Sequence, residues 1–165
     1  MSLTHPHPLW TTASASPYEV LKARVQATML SGRYRTERLC RFWSRNKRGF
    51  CLAPSCQGLN IPEDLEHILV HCQSLEPARL HLNTFTYNFS LSQHPTIQHI
   101  LNSLSIPGNE QFVQFLLDCS ALPSIISTVQ ALGTRTLIPL FHVSRTWCYV
   151  IHRDRLKILG RWRKF

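Results

Sequence analysis

The chain has 165 residues, 44% of them hydrophobic, enough to bury a core of its own. It carries 18 Lys and Arg against 9 Asp and Glu, a formal net charge of +9, and a surplus of that size points to an anionic partner. No window reaches the apolar length of a membrane span, and the first 17 residues lack the basic start and apolar run of a signal peptide. A secreted or membrane protein is therefore not expected. An intracellular place, nuclear or cytoplasmic, is, and the six cysteines read as thiols or metal ligands rather than disulfides.

Residues 1–16 are rich in Ser, Thr, Pro and His without apolar periodicity, and read as a disordered tail ahead of a single helical domain over 17–165. Ser16-Pro17 pairs an N-cap with proline at the first helical position, opening a helix to about Leu30 that Ser31-Gly32 ends. Tyr34 to Arg45 reads as a second, strongly basic helix, completing a basic segment over 17–48. Gly49 to Asn60 is a loop holding Pro54 and Gly58, and Ile61-Pro62-Glu63-Asp64 starts a helix whose early acids suit the positive end of its dipole. Residues 49–82 form the metal-binding segment, and 83–165 a helical region with a basic end. There, helices are expected over Leu75–Phe89, Thr96–Leu104, Glu110–Leu122, Ser124–Leu132 and Leu137–Trp162. On the last of these Leu140, Trp147, Ile151, Ile158 and Trp162 fall near one stripe. The fold class is mainly α.

Sixteen of the eighteen basic residues lie in two blocks, nine from Lys22 to Arg48 and seven from Arg145 to Lys164, around a neutral-to-acidic middle. Aromatics interleave both blocks. Arginine for phosphates and rings for bases are what a nucleic-acid groove needs, so Arg33, Arg35, Arg41, Arg45, Arg153 and Arg155 are the candidate phosphate contacts and Trp43 a stacking ring.

The sharpest motif is Cys51, Cys56, His67 and Cys72, spaced Cys-x4-Cys-x10-His-x4-Cys. Thiolate and neutral imidazole are the donors tetrahedral zinc prefers, and a loop pair plus a helix-end pair would close one Zn2+ site. The fold class thus includes one Cys-Cys-His-Cys zinc knuckle between loop and helix. Cys72 lies five residues after His67, off the same α-helical face, and reaches the metal only if the helix ends near His71. His71, at i+4, is the rival fourth ligand. Thiolate chemistry favours Cys72, and Asn60 and Asp64 occupy the apolar positions of a two-Cys, two-His finger. Cys119 and Cys148 read as core residues.

The run Leu65-Glu66-His67-Ile68-Leu69-Val70-His71-Cys72, followed by Pro77-Ala78-Arg79, resembles the zinc-binding segment after the polymerase of non-LTR retrotransposon reverse transcriptases. The basic stretch from Leu30-Ser31-Gly32-Arg33-Tyr34 through Cys40, Trp43 and Cys51, and the ending from Ser144-Arg145-Thr146-Trp147 through Trp162, are similar to parts of the same region. The likeness runs from about Leu21 onward and is looser between Thr84 and Thr136. It implies a nucleic-acid-binding accessory module with Cys51, Cys56, His67 and Cys72 as metal ligands. Neither the paired carboxylates of a polymerase nor an endonuclease pattern occurs here, and a zinc with four protein ligands keeps no open position, so an enzyme is not expected. The expected partner is RNA or single-stranded DNA. The alternatives are a structural zinc domain that docks a protein through its C-terminal helices, and a fragment of an element without a role.

Overall fold

The computed structural model describes residues 6–41, 48–106 and 108–161. Among them are eight α-helices: α1 (Pro8–Thr11), α2 (Pro17–Leu30), α3 (Glu37–Arg41), α4 (Glu76–Ser90), α5 (Pro95–Leu104), α6 (Gln111–Asp118), α7 (Pro123–Leu132) and α8 (Leu137–Ile158). No strand forms among the described residues, and the only β-type pairing among them is an isolated antiparallel bridge between Phe50 and Pro62. The fold is mainly α, as expected.

Proline sets most of the starts. Helices α1, α2, α4, α5 and α7 all carry it in their first two positions, where its missing N–H has no intrahelical partner to lose. Glycine sets two of the ends that matter here. Gly32 (φ 68°) and Gly160 (φ 65°) are in the left-handed region. The amides of Arg33 and Arg161 then close back on Thr28 O and Leu156 O at 3.1 and 2.8 Å, the paired turn that satisfies helix-end carbonyls. Helix α8 thus stops at Ile158, short of the expected Trp162, which lies outside the described residues.

Helix α8 is the centre of the molecule. Its middle is buried almost all round, with Val143, Ser144, Arg145, Trp147, Cys148, Tyr149, Val150 and Ile151 out of solvent, and α2, α4 and α6 pack around it. Polar anchors fix that packing. Gln26 of α2 donates to Leu116 O (2.7 Å) at the end of α6 and to Ser144 Oγ (2.9 Å), while Trp147 Nε1 donates to Thr86 Oγ1 of α4 (2.9 Å). Cys119 and Cys148 are core thiols at 0% exposure, and burial raises Cys148 to about 12.

Two further expectations are corrected. The tail expected over 1–16 includes α1, whose Leu9 is buried in the core. It is held by Arg145, which donates to Leu9 O (3.2 Å), Thr12 Oγ1 (2.8 Å) and Thr12 O (3.1 Å), and by a His7–Asp118 contact of 3.2 Å. The second concerns membrane length. Gln111–Leu132 is, by length and composition, apolar and long enough to cross a membrane. In the fold it is two helices of 8 and 10 residues, each shorter than the roughly 20 a span needs, broken at Asp118 and restarted at Pro123.

Candidate metal centre

Two backbone devices bring the four donors together. The first is the Phe50–Pro62 bridge, where Cys51 N donates to Ile61 O (2.8 Å) and Glu63 N to Gly49 O (3.0 Å), placing Cys51 beside the start of the following helix. A single tight turn over Pro54–Cys56 then presents Cys56. The second is a widened turn over His67–His71, opened by Asp64, whose Oδ1 accepts from His67 N at 2.9 Å. Cys72 N donates to His67 O at 2.7 Å, an i to i+5 bond that defines a π turn. The extra residue in that turn draws Cys72 to the side of His67, and at Cys72 the backbone leaves the helix (ψ 113°).

The result is a buried Cys3His cluster. Cys51, Cys56, His67 and Cys72 are 4, 3, 7 and 1% exposed, and their four donor atoms lie within 4.8 Å of one another. Cys56 Sγ is 3.5 Å from His67 Nε2 and 3.8 Å from Cys72 Sγ, and Cys51 Sγ is 4.0 Å from Cys72 Sγ. Zinc bonds of about 2.3 Å to sulfur and about 2.0 Å to nitrogen would set tetrahedral edges of about 3.8 Å between sulfurs and about 3.5 Å between sulfur and nitrogen. The four residues could therefore hold a metal ion, and the donor set is consistent with zinc. His71 lies outside the cluster, exposed and 3.4 Å from Glu66 Oε1.

The thiols are poised for a cation. The hydrogen bond between Cys51 and Cys72 holds the Cys72 thiol below its ordinary range and pushes Cys51 up, so one proton of the pair leaves more readily than from a free cysteine. Arg79, 7% exposed, clamps the break in the helix: Nη2 donates to Cys72 O at 2.6 Å, and Nη2 and Nε both reach Glu76 Oε2 (2.7 and 3.1 Å). Two serines, Ser55 and Ser74, bond each other across the two ligand-bearing segments.

The basic residues divide. Arg33 and Arg35 are exposed beyond the end of α2, and Arg153 is half-buried and bonded to Asp154 at 2.9 Å, which raises its pKa. Arg41 is the last residue of α3, and Trp43 and Arg45 lie outside the described residues. Arg155 is not a surface residue. It is 5% exposed, and its guanidinium is committed to Glu63, which also accepts from Glu37 N at 2.7 Å. Burial works against the charge of Arg155, but Glu63 outweighs it and leaves the pKa raised. Lys22 and Arg145 are buried as well, each beside Glu19 (2.8 and 3.7 Å).

The two blocks nevertheless meet. Tyr34 Oη lies 2.9 Å from His152 Nδ1, Arg161 Nη1 3.0 Å from Glu37 Oε1, and the Arg155–Glu63 pair joins the end of α8 to the segment that carries the Cys3His cluster. Arg33, Arg35, Arg38, Arg48, Lys157 and Arg161 are exposed along these segments. Glu63, expected as a helix-start acid, lies ahead of the helix and pairs with Arg155 instead, and sequence reasoning gave no role to Arg79, Ser55 and Ser74, whose partners are set by the fold. No protein family, curated protein or solved structure matches the chain.

Proposed function

We propose that Cys51, Cys56, His67 and Cys72 hold one structural Zn2+, and that the chain is a non-catalytic module binding RNA or single-stranded DNA through its basic end. The resemblance to the region after the polymerase of non-LTR retrotransposon reverse transcriptases suggests the same role, as an accessory that helps hold nucleic acid. Four protein donors fill a tetrahedral shell, so the metal would staple two chain segments rather than activate water. The observation that supports the binding role is the meeting of two basic blocks some 120 residues apart in sequence, through the Tyr34–His152 and Arg161–Glu37 contacts, next to the Cys3His cluster. With Arg155 buried, the phosphate contacts in this reading are Arg33, Arg35, Arg41, Arg45 and Arg153, with Trp43 stacking on a base.

The test is fluorescence anisotropy of a labelled single-stranded RNA with zinc-loaded protein across a salt series. Affinity should fall steeply with salt, and Arg33→Ala with Arg35→Ala should flatten the log–log slope by about 1.4, at about 0.7 for each phosphate no longer neutralised. An unchanged slope in the double variant would refute the assignment of these arginines, and binding that ignores salt would refute the nucleic-acid reading.

A further inference from the structure

The two halves of the metal cluster come from separate segments, Cys51 and Cys56 from one and His67 and Cys72 from the other. Besides the donors themselves, a reciprocal pair of serines joins them. Ser55 N donates to Ser74 Oγ (3.1 Å), Ser74 N donates to Ser55 Oγ (2.9 Å), and the two hydroxyl oxygens lie 2.7 Å apart. Ser55 precedes Cys56, Ser74 follows Cys72 by two residues, and both side chains are half-buried.

The donor count gives this pair a direction. Each hydroxyl oxygen already accepts one backbone N–H, and one hydroxyl proton must lie between the two oxygens. Ser55 Oγ is also 3.6 Å from Cys56 Sγ, within reach of a hydroxyl-to-sulfur bond. A metal-bound Cys56 is a thiolate, an acceptor only, so the Ser55 hydroxyl donates to it. The remaining proton, on Ser74, then fills the bond between the hydroxyls. The chain of donors runs from Ser74 to Ser55 to the Cys56 sulfur, and its last link is strengthened by the thiolate charge.

We propose that Ser55 and Ser74 are positioning residues of the metal centre: a clip that holds the two ligand-bearing segments at metal-binding distance and donates a hydrogen bond to the Cys56 thiolate. The clip rests on the zinc reading above. It acts through Cys56 and Cys72 and touches no metal. Partners in the shell behind metal ligands set affinity by 10–100-fold when removed, because they fix ligand orientation before the ion arrives.

The experiment measures Zn2+ affinity by competition with a colorimetric chelator for wild type, Ser55→Ala, Ser74→Ala, the double variant and Ser74→Thr, with Co2+ absorption spectra on each. Each alanine variant should weaken Zn2+ binding about 10–100-fold. The double variant should lose clearly less than the product of the two single losses, since each single change already breaks the shared hydroxyl bond. Ser74→Thr keeps the hydroxyl and should stay within about threefold of wild type. The sulfur-to-cobalt charge-transfer band should shift in Ser55→Ala, which loses the bond to Cys56, while the ligand-field bands keep their tetrahedral form. Losses that multiply, an unshifted band, or alanine variants within about twofold of wild type would overturn the clip. A wild-type chain that takes up no Zn2+ would overturn the metal reading and the clip together, whereas normal wild-type uptake with unaffected variants overturns the clip alone.

Discussion

Removing the Glu63 carboxylate should be among the most damaging single changes in the molecule. Glu63 and Arg155 have side chains 2 and 6% exposed, so neither charge can turn to water when its partner is lost. Glu63→Leu leaves the Arg155 guanidinium buried beneath the Tyr34 ring, 5.7 Å from its centroid, and strips Glu37 N of its acceptor. Breaking such a pair from one side costs about 3–5 kcal/mol, and at this chain length the midpoint of thermal unfolding should drop by roughly 6–20 °C. The assay is urea unfolding of zinc-loaded protein followed by circular dichroism, with thermal melts alongside. A second variant isolates the cause. Arg155→Met placed on Glu63→Leu removes the orphaned charge and should recover at least half of the loss, because an apolar replacement of both partners is close to neutral. A Glu63→Leu loss below about 1 kcal/mol, or no recovery in the double variant, would refute the claim that this pair is a buried, paired charge holding α8 to the segment that carries the Cys3His cluster.

Two further outcomes follow from the geometry. His71→Ala should leave metal content at the wild-type level and His67→Ala should lower it, both measured as metal per chain after dialysis; the reverse pattern would make His71 the ligand. Burial holds the His142 and His152 imidazoles below the ordinary histidine range. Unfolded histidines take up protons near pH 6.5 and these two only at lower pH, so the unfolded state binds more protons in between and stability falls as pH drops through about 6.5. Urea midpoints at several pH values should therefore fall less steeply in a His142→Asn, His152→Asn variant than in wild type, and equal slopes would contradict the burial argument.

What the sequence made legible was local. Proline at helix starts, Ser31-Gly32 after Leu30, and a spacing of soft donors were enough to place most helices and the four clustered residues, whereas the helix expected to reach Trp162 stops before Gly160. The condition that the helix after His67 end near His71 is met, though by a π turn, which no residue type announces. What stayed hidden was long-range. Arg155 is one more charge in a basic run until Glu63, 92 residues away, turns it inward. Helix α1 is too short to show periodicity, and what orders it is Arg145, more than 130 residues along the chain. The break at Asp118 is local by contrast: its side chain accepts from Ser120 N (3.1 Å), and the helix expected over Glu110–Leu122 ends at Asp118.

The measurement that bears most directly on the metal centre is the zinc content of the full chain, purified under reducing conditions without chelator and quantified by plasma mass spectrometry with a fold check by circular dichroism. One Zn2+ per chain, lost in Cys56→Ala, is the expected result. Folded protein without metal, in which Cys51, Cys56 and Cys72 react as free thiols, would contradict it.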